Sequence, residues 1–170
     1  MIVGQATKNE TMIIASLGEI HVSRDPAIVL ACLGLGSCIG VSAYDPASRV
    51  GAMAHIVLPQ GNEVECKKSP AKYANSAVPL MIMEMEKLGA SRNRLVVKIA
   101  GGARIIANVV AKSILDIGDR NIAAVKDALF ESRLPLKAED IRGTHGRSLW
   151  LYVETGITRV RTAAQQNMEL

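Results

Sequence analysis

One cysteine and one histidine carry the chemistry that this sequence suggests. Cys38 stands in Leu33-Gly34-Leu35-Gly36-Ser37-Cys38-Ile39-Gly40, and His55 follows 17 positions later. A cysteine in a glycine-punctuated turn at the end of a strand is placed to act as a nucleophile. A free thiol has a pKa of ~8.5 and is mostly protonated at neutral pH, so it needs a base. His55 is that candidate. It lies on the next strand of an expected hairpin, flanked by Met53-Ala54 and Ile56-Val57, where a polar ring needs a polar partner. The turn at Gly36 and Ser37 exposes successive N–H groups that can hold an oxyanion.

Plainer readings stand beside this one. A free Cys is often a small buried hydrophobe, and a His on an apolar strand is often a satisfied core residue. Cys32, six residues before Cys38, could be core, a redox partner or a third member of a site. Cys66 sits between Glu65 and Lys67 and reads as an exposed thiol. A zinc site from Cys32, Cys38, His55 and Cys66 lacks the short C-x₂₋₄-C element of structural zinc. No G-x-G-x-x-G or G-x-x-x-x-G-K-[ST] occurs, so nucleotide binding is unsupported. Gly101-Gly102 reads as a plain turn, and Glu139 with Asp140 as solvated.

The elements that must position these residues can be traced by pattern. Met12 to Leu17 and Glu19 to Val22 read as extended pieces broken at Gly18. Ile28 to Leu30 reads as a buried strand. Ile39 to Tyr44 and Val50 to Leu58 form a hairpin around Asp45-Pro46-Ala47-Ser48. Residues 59–69 read as a polar loop and a candidate rim for a site. A helix is expected from an N-cap at Ser69 with Pro70 at its first position, apolar at Ala74, Ala77, Val78, Met81, Met85 and Leu88, and stopped by Gly89. Leu95 to Ala100 reads as a strand. Residues 103–118, with Ile105, Val109, Val110 and Ile114, fit helix or irregular structure. A second helix spans about Asn121 to Ser132. Pro135 to Asp140 and a terminal hairpin (Trp150 to Glu154, Ile157 to Arg161) complete the set. Two helices among many strands, without βαβ alternation, predict an α+β fold: mainly antiparallel or mixed sheet layers with two main helices on one side.

The chain has 170 residues, 49% hydrophobic and 21% charged, which excludes disorder and predicts one domain over 1–170 with loose termini at 1–11 and 163–170. Aromatics are only 3%, so the core is aliphatic and no base-stacking platform is expected. The net charge of +4 is spread along the chain. Lys67-Lys68 with Lys72, and Arg159 with Arg161, read as solvated edges. No signal-peptide pattern and no membrane-length apolar run are seen, and three cysteines suit a reducing compartment, so a cytoplasmic chain is expected.

Several segments together resemble the CheD family of chemoreceptor glutamine deamidases. They are Cys32 to Cys38, Tyr44-Asp45-Pro46, Gly51 to Pro59, Lys72-Tyr73-Ala74, Lys98 to Ala103, Ile117 to Asn121, Ala138-Glu139-Asp140, Gly143 to Ser148 and Glu154-Thr155-Gly156. The resemblance covers about Gly18 to Val160. It implies a fold like that of toxin-type glutamine deamidases. It also implies a cytoplasmic cysteine hydrolase that converts glutamines of methyl-accepting chemotaxis receptors to glutamate, with no cofactor and no metal. CheC, a phosphatase of phosphorylated CheY, is an implied partner; nucleic acid is not, and the membrane enters only through the receptors. The family's nucleophile falls on Cys38 and its base on His55. Its third catalytic position, usually Thr, falls on Cys32, and a thiol is a poorer hydrogen-bond acceptor than a hydroxyl. That departure keeps open a non-catalytic binding module for CheC or receptors. Two further readings are a Cys32/Cys38 redox protein and transfer of the acyl group to an amine instead of water.

Overall fold

The computed structural model describes residues 10–104, 117–162 and 167–170. Its chain order is β1 (Thr11–Ile14), β2 (Ile20–Ser23), β3 (Ile28–Leu35), β4 (Ile39–Asp45), β5 (Val50–Ile56), α1 (Glu63–Lys68), α2 (Ala74–Lys87), a 3₁₀ turn (Arg92–Arg94), β6 (Val96–Gly101), α3 (Ile117–Glu131), β7 (Leu136–Ile141), β8 (Arg147–Tyr152), β9 (Thr158–Thr162) and β10 (Met168–Glu169). The α+β expectation holds, with two sheets. One has the order β1-β3-β8-β9-β10 and the other β2-β5-β4-β6-β7. Both are mixed, because β1 lies parallel to β3 and β6 parallel to β7 while the remaining pairs are antiparallel.

Strand alternation explains the layering. Along β4 and β5, Ile39, Val41, Ala43, Val50, Ala52, Ala54 and Ile56 face one core, shared with α2 and α3. Residues at the intervening positions face the other sheet, where Met53 and Tyr44 meet Leu30, Cys32, Leu35, Leu149, Leu151 and Val160. A strand covered on both faces has no solvent side, so every residue of β4 and β5 is buried. A group on the inter-sheet face of this hairpin is therefore shielded unless it lies at an open end.

Three local expectations are corrected. Residues 59–69 hold α1, closed by a reciprocal cap in which the Asn62 side chain accepts from Glu65 N–H and the Glu65 carboxylate accepts from Asn62 N–H. Ser69 therefore ends α1 instead of starting the next helix, and α2 begins at Ala74 behind Tyr73. Its buried face includes Ile82, while Leu88 lies outside it. The expected loose tail carries β10, paired with β9, and Thr11 at the other end belongs to β1. The ambiguous run over 105–116, and the tail residues 163–166, lie outside the described residues.

Candidate active site

The hairpin register brings the candidate pair to one face. Gly40 is the cross-strand partner of His55. Cys38, two residues before Gly40, is the diagonal neighbour on the same side, and diagonal positions are within reach of longer side chains. Cys38 packs against the inter-sheet core but keeps partial exposure, while His55 is 4% exposed.

The turn bearing Cys38 is tied down from behind. Asn121, fully buried on α3, donates from Nδ2 to the carbonyl of Ser37 at 2.9 Å and to that of Val57 at 3.0 Å. Gly102 N–H donates to Cys38 O at 3.0 Å and Ala103 N–H to Gly36 O at 2.8 Å. The Gly101-Gly102 pair is thus more than a turn. A β-carbon on Gly101 would lie 2.1 Å from the Cys38 carbonyl, and its φ of 121° suits only glycine. Behind the pair, Arg142 N–H donates to Gly101 O, and Asp119 is held by Arg104 and Arg142.

These anchors orient the peptide dipoles. In a trans peptide the N–H points opposite to the preceding C=O. With the Gly36 and Ser37 carbonyls drawn inward, the N–H groups of Ser37 and Cys38 face away from the anchoring groups. Among the described residues neither donates to an acceptor on another residue, and the Cys38 N–H faces its own thiol. They are free to bind an oxyanion.

His55 is gripped by the segment between β1 and β2. Its N–H donates to Glu19 O at 3.0 Å and its C=O accepts from Gly18 N–H at 2.9 Å. Its ring Nδ1 lies 3.0 Å from Ala15 O. A carbonyl can only accept, so Nδ1 carries the proton and Nε2 bears the lone pair. That Nε2 is buried with no partner among the described residues. Burial pulls the imidazole below its ordinary pKa, only partly opposed by the Ala15 carbonyl and Glu19. Burial likewise pushes the Cys38 thiol up, against its own N–H. Both shifts favour the uncharged forms, thiol and imidazole. The two side chains do not hydrogen-bond at rest, a common state for catalytic pairs before substrate arrives.

Cys32 is placed differently from the orienting role implied for it. It is fully buried between the sheets, its thiol points to Ala54 O at 3.7 Å, and burial drives its pKa up. The group that orients His55 is the Ala15 carbonyl. Cys66 is half-buried and points to Gly61 O at 3.3 Å. Among the described residues no three His, Cys, Asp or Glu side chains converge as a metal site, and no helix is long and apolar enough to cross a membrane. Ala15 and Asn121 are the site residues that sequence reading missed. Asn121 had a signal, as a polar residue in register with the apolar face Gly118-Ile122-Val125 of α3; a backbone acceptor such as Ala15 has none.

A family model described as CheD chemotactic sensory transduction matches residues 57–162. A probable chemoreceptor glutamine deamidase CheD of Symbiobacterium thermophilum is 44% identical over 91% of this chain and 94% of its own length. The corresponding protein of Caldanaerobacter subterraneus is 37% identical over 86% of this chain and 90% of its own. A second deamidase of this name, from Geobacter metallireducens, is 42% identical over 94% and 98%. Among solved structures, Bacillus licheniformis hypothetical protein YfiH is similar over 71% of this chain and 49% of its own, at 14% identity and a TM-score of 0.46.

Proposed function

This chain belongs to the CheD family, and from that premise we propose that it is a protein-glutamine glutaminase acting on chemoreceptors, with Cys38 as nucleophile and His55 as base. One observation supports the reading: the Ala15 carbonyl fixes the His55 proton on Nδ1 and leaves Nε2, on the inter-sheet face that Cys38 also packs against, without a partner among the described residues.

Nε2 takes the Cys38 thiol proton as Sγ attacks the carboxamide carbon of a substrate glutamine. The former carbonyl oxygen becomes an oxyanion, held by the N–H groups of Ser37 and Cys38, each worth on the order of 10²–10³ in rate. Collapse breaks the C–N bond, and the imidazolium returns its proton to the departing nitrogen, releasing ammonia. A water then attacks the thioester and gives a proton to Nε2. Collapse expels the sulfur, which recovers that proton, and the product is glutamate. A neutral resting pair suits this course, because the proton moves with the attack. No step needs a metal or an organic cofactor. An amine in place of water would give the transamidated product by the same thioester.

On this reading the substrates are glutamines on the cytoplasmic helices of methyl-accepting chemotaxis receptors, and a CheC-type phosphatase is a binding partner in adaptation. The test is mass spectrometry of a receptor cytoplasmic fragment after incubation, with ammonia measured alongside. Each conversion adds about one dalton, from NH₂ replaced by OH. Wild type is expected to convert, and Cys38→Ala to bind without converting. Equal conversion by both would exclude Cys38. Binding without conversion by wild type would leave the non-catalytic module.

A further inference from the structure

The mechanism needs His55 in one tautomer, and the Ala15 carbonyl that selects it is itself held in place. Ala15 N–H donates to Ala31 O on β3 at 2.8 Å, which fixes the residue on one side. On the other side the chain makes a tight turn, Ser16-Leu17-Gly18-Glu19. Glu19 N–H donates to Ser16 O at 3.0 Å. Gly18, the third residue of the turn, has a φ of 72°, which a type II turn requires there. The turn is closed a second time by a side chain, because the Glu19 carboxylate accepts from Ser16 N–H at 2.9 Å. The same oxygen accepts from His21 Nε2 at 3.3 Å. Neither bond touches a reacting atom, yet both fix the peptide that follows Ala15.

We infer that Glu19 is a positioning residue for His55: its carboxylate closes the Ser16–Glu19 turn and thereby holds the Ala15 carbonyl on the imidazole. The inference rests on the proposed role of His55 as base. Glu19 acts in two separable ways. Its acceptor oxygen holds the turn, and its negative charge favours the imidazolium. The other titratable or charged groups on this inter-sheet side are Cys38 before β4, Cys32 on β3, Tyr44 on β4, Lys98 on β6 and Arg147 on β8, the last paired with Asp140. His21 on β2 pairs with Glu19 itself. From β8 and β9 the inter-sheet core receives Leu149, Leu151 and Val160, and α2 and α3 lie beyond the opposite face of β5. Glu19 is the acidic side chain whose charge acts on the His55 ring.

The test is ¹⁵N NMR titration of the histidine rings in the full chain, with His55 assigned by its loss in His55→Gln. Glu19→Gln keeps an acceptor for the Ser16 N–H and removes the charge, so the His55 titration is expected to move to lower pH with the Nδ1–H tautomer retained. Glu19→Ala removes both, and the tautomer signals are expected to average between the two nitrogens. Glu19→Gln also serves should Glu19→Ala fail to fold. Where ammonia release is measured, Glu19→Ala is expected to lower kcat about tenfold with KM little changed, and Glu19→Gln to recover most of that loss. An unaveraged tautomer in a folded Glu19→Ala overturns the inference, as does a tautomer lost equally in Glu19→Gln and Glu19→Ala. The ring signals do not depend on turnover, so an inactive wild type with the expected titrations would sink the enzyme reading and leave this one standing.

Discussion

The β4–β5 hairpin carries a buried polar group at each end, and the two ends treat theirs in opposite ways. At the turn end, Asp45 is fully buried and every acceptor is used: Arg94 donates from Nε at 2.9 Å and Nη2 at 2.7 Å, Ser91 N–H at 2.8 Å and Ala47 N–H at 3.0 Å. At the open end, His55 is as well shielded but has one nitrogen engaged and the other idle. A buried polar atom without a partner costs roughly 1–3 kcal/mol. On the proposed mechanism, a fold that satisfies four contacts at one end of a hairpin and leaves one open at the other keeps its structural group and its reactive group apart. The satisfied carboxylate is read as architecture and the idle nitrogen as chemistry.

That contrast breaks most visibly at the open end. Cys38→Ala is expected to lower deamidation by about 10⁴-fold or more, and His55→Gln by about 10³-fold, because each removes a group to which the proposed mechanism gives a chemical role. Neither should reduce stability much, because Cys38 is only half-buried and a Gln at 55 keeps a donor for the Ala15 carbonyl. Ammonia release and a thermal melt on the same samples separate the two effects. A large fall in Tm that tracks the loss of activity would assign His55 to architecture instead.

Asp45→Ala is the converse. It strands the Ser91 and Ala47 N–H groups and frees Arg94, at about 3 kcal/mol and about 10 °C in Tm. Activity per folded molecule should hold at temperatures below the transition. Between the extremes lies Asn121, which is architecture serving chemistry. Asn121→Ala removes two donors from the Ser37 and Val57 carbonyls, and about 2 kcal/mol of stability is expected to go with them. Because the Ser37 carbonyl is then free to turn, the Cys38 N–H loses its aim and kcat should fall about tenfold. A variant that loses stability and keeps its kcat would show that the anchor does not set the turn.

These differences also mark what a sequence discloses. The hairpin was readable from Asp45-Pro46 between aliphatic runs, and with it the neighbourhood of Cys38 and His55. The reciprocal cap Asn62-Glu65 and the buried Asn121 were written in side chains, in patterns that can be searched for. The division into two sheets was not, because an aliphatic strand reads alike whether helices or a second sheet cover it. The orienting carbonyl of Ala15 was least legible. A main-chain acceptor is common to every residue, and the contact joins positions 15 and 55 through a topology that only the folded chain reveals. The resemblance puts a side-chain role on Cys32, whereas a backbone carbonyl in the segment between β1 and β2 supplies the contact to His55.

The smallest expected effect is on stability in mild acid, and its sign follows from the same contrast. Burial lowers the folded pKa of His55 below the ordinary value, which for an unfolded chain is about 6.5. Above that value neither state binds a proton at this ring, and the full stability is present. As pH falls below it, the unfolded chain takes up a proton that the folded chain refuses, so stability declines until the folded pKa is passed. Asp45 behaves alike in sign and differs in range. Burial alone would raise its carboxyl, but Arg94 and the N–H groups of Ser91 and Ala47 outweigh that and hold it well below the usual carboxylate range. Its contribution is intact down to about pH 4 and is lost below it. Between these ranges lies a window in which proton uptake by the unfolded chain at His55 already erodes stability while Asp45 still secures the far end of the hairpin. Tm measured against pH for wild type and His55→Gln should diverge only below about 6.5, with the wild type falling faster. Parallel curves across that window would mean that the imidazole is not held neutral by burial, and the distinction between the two ends would fail.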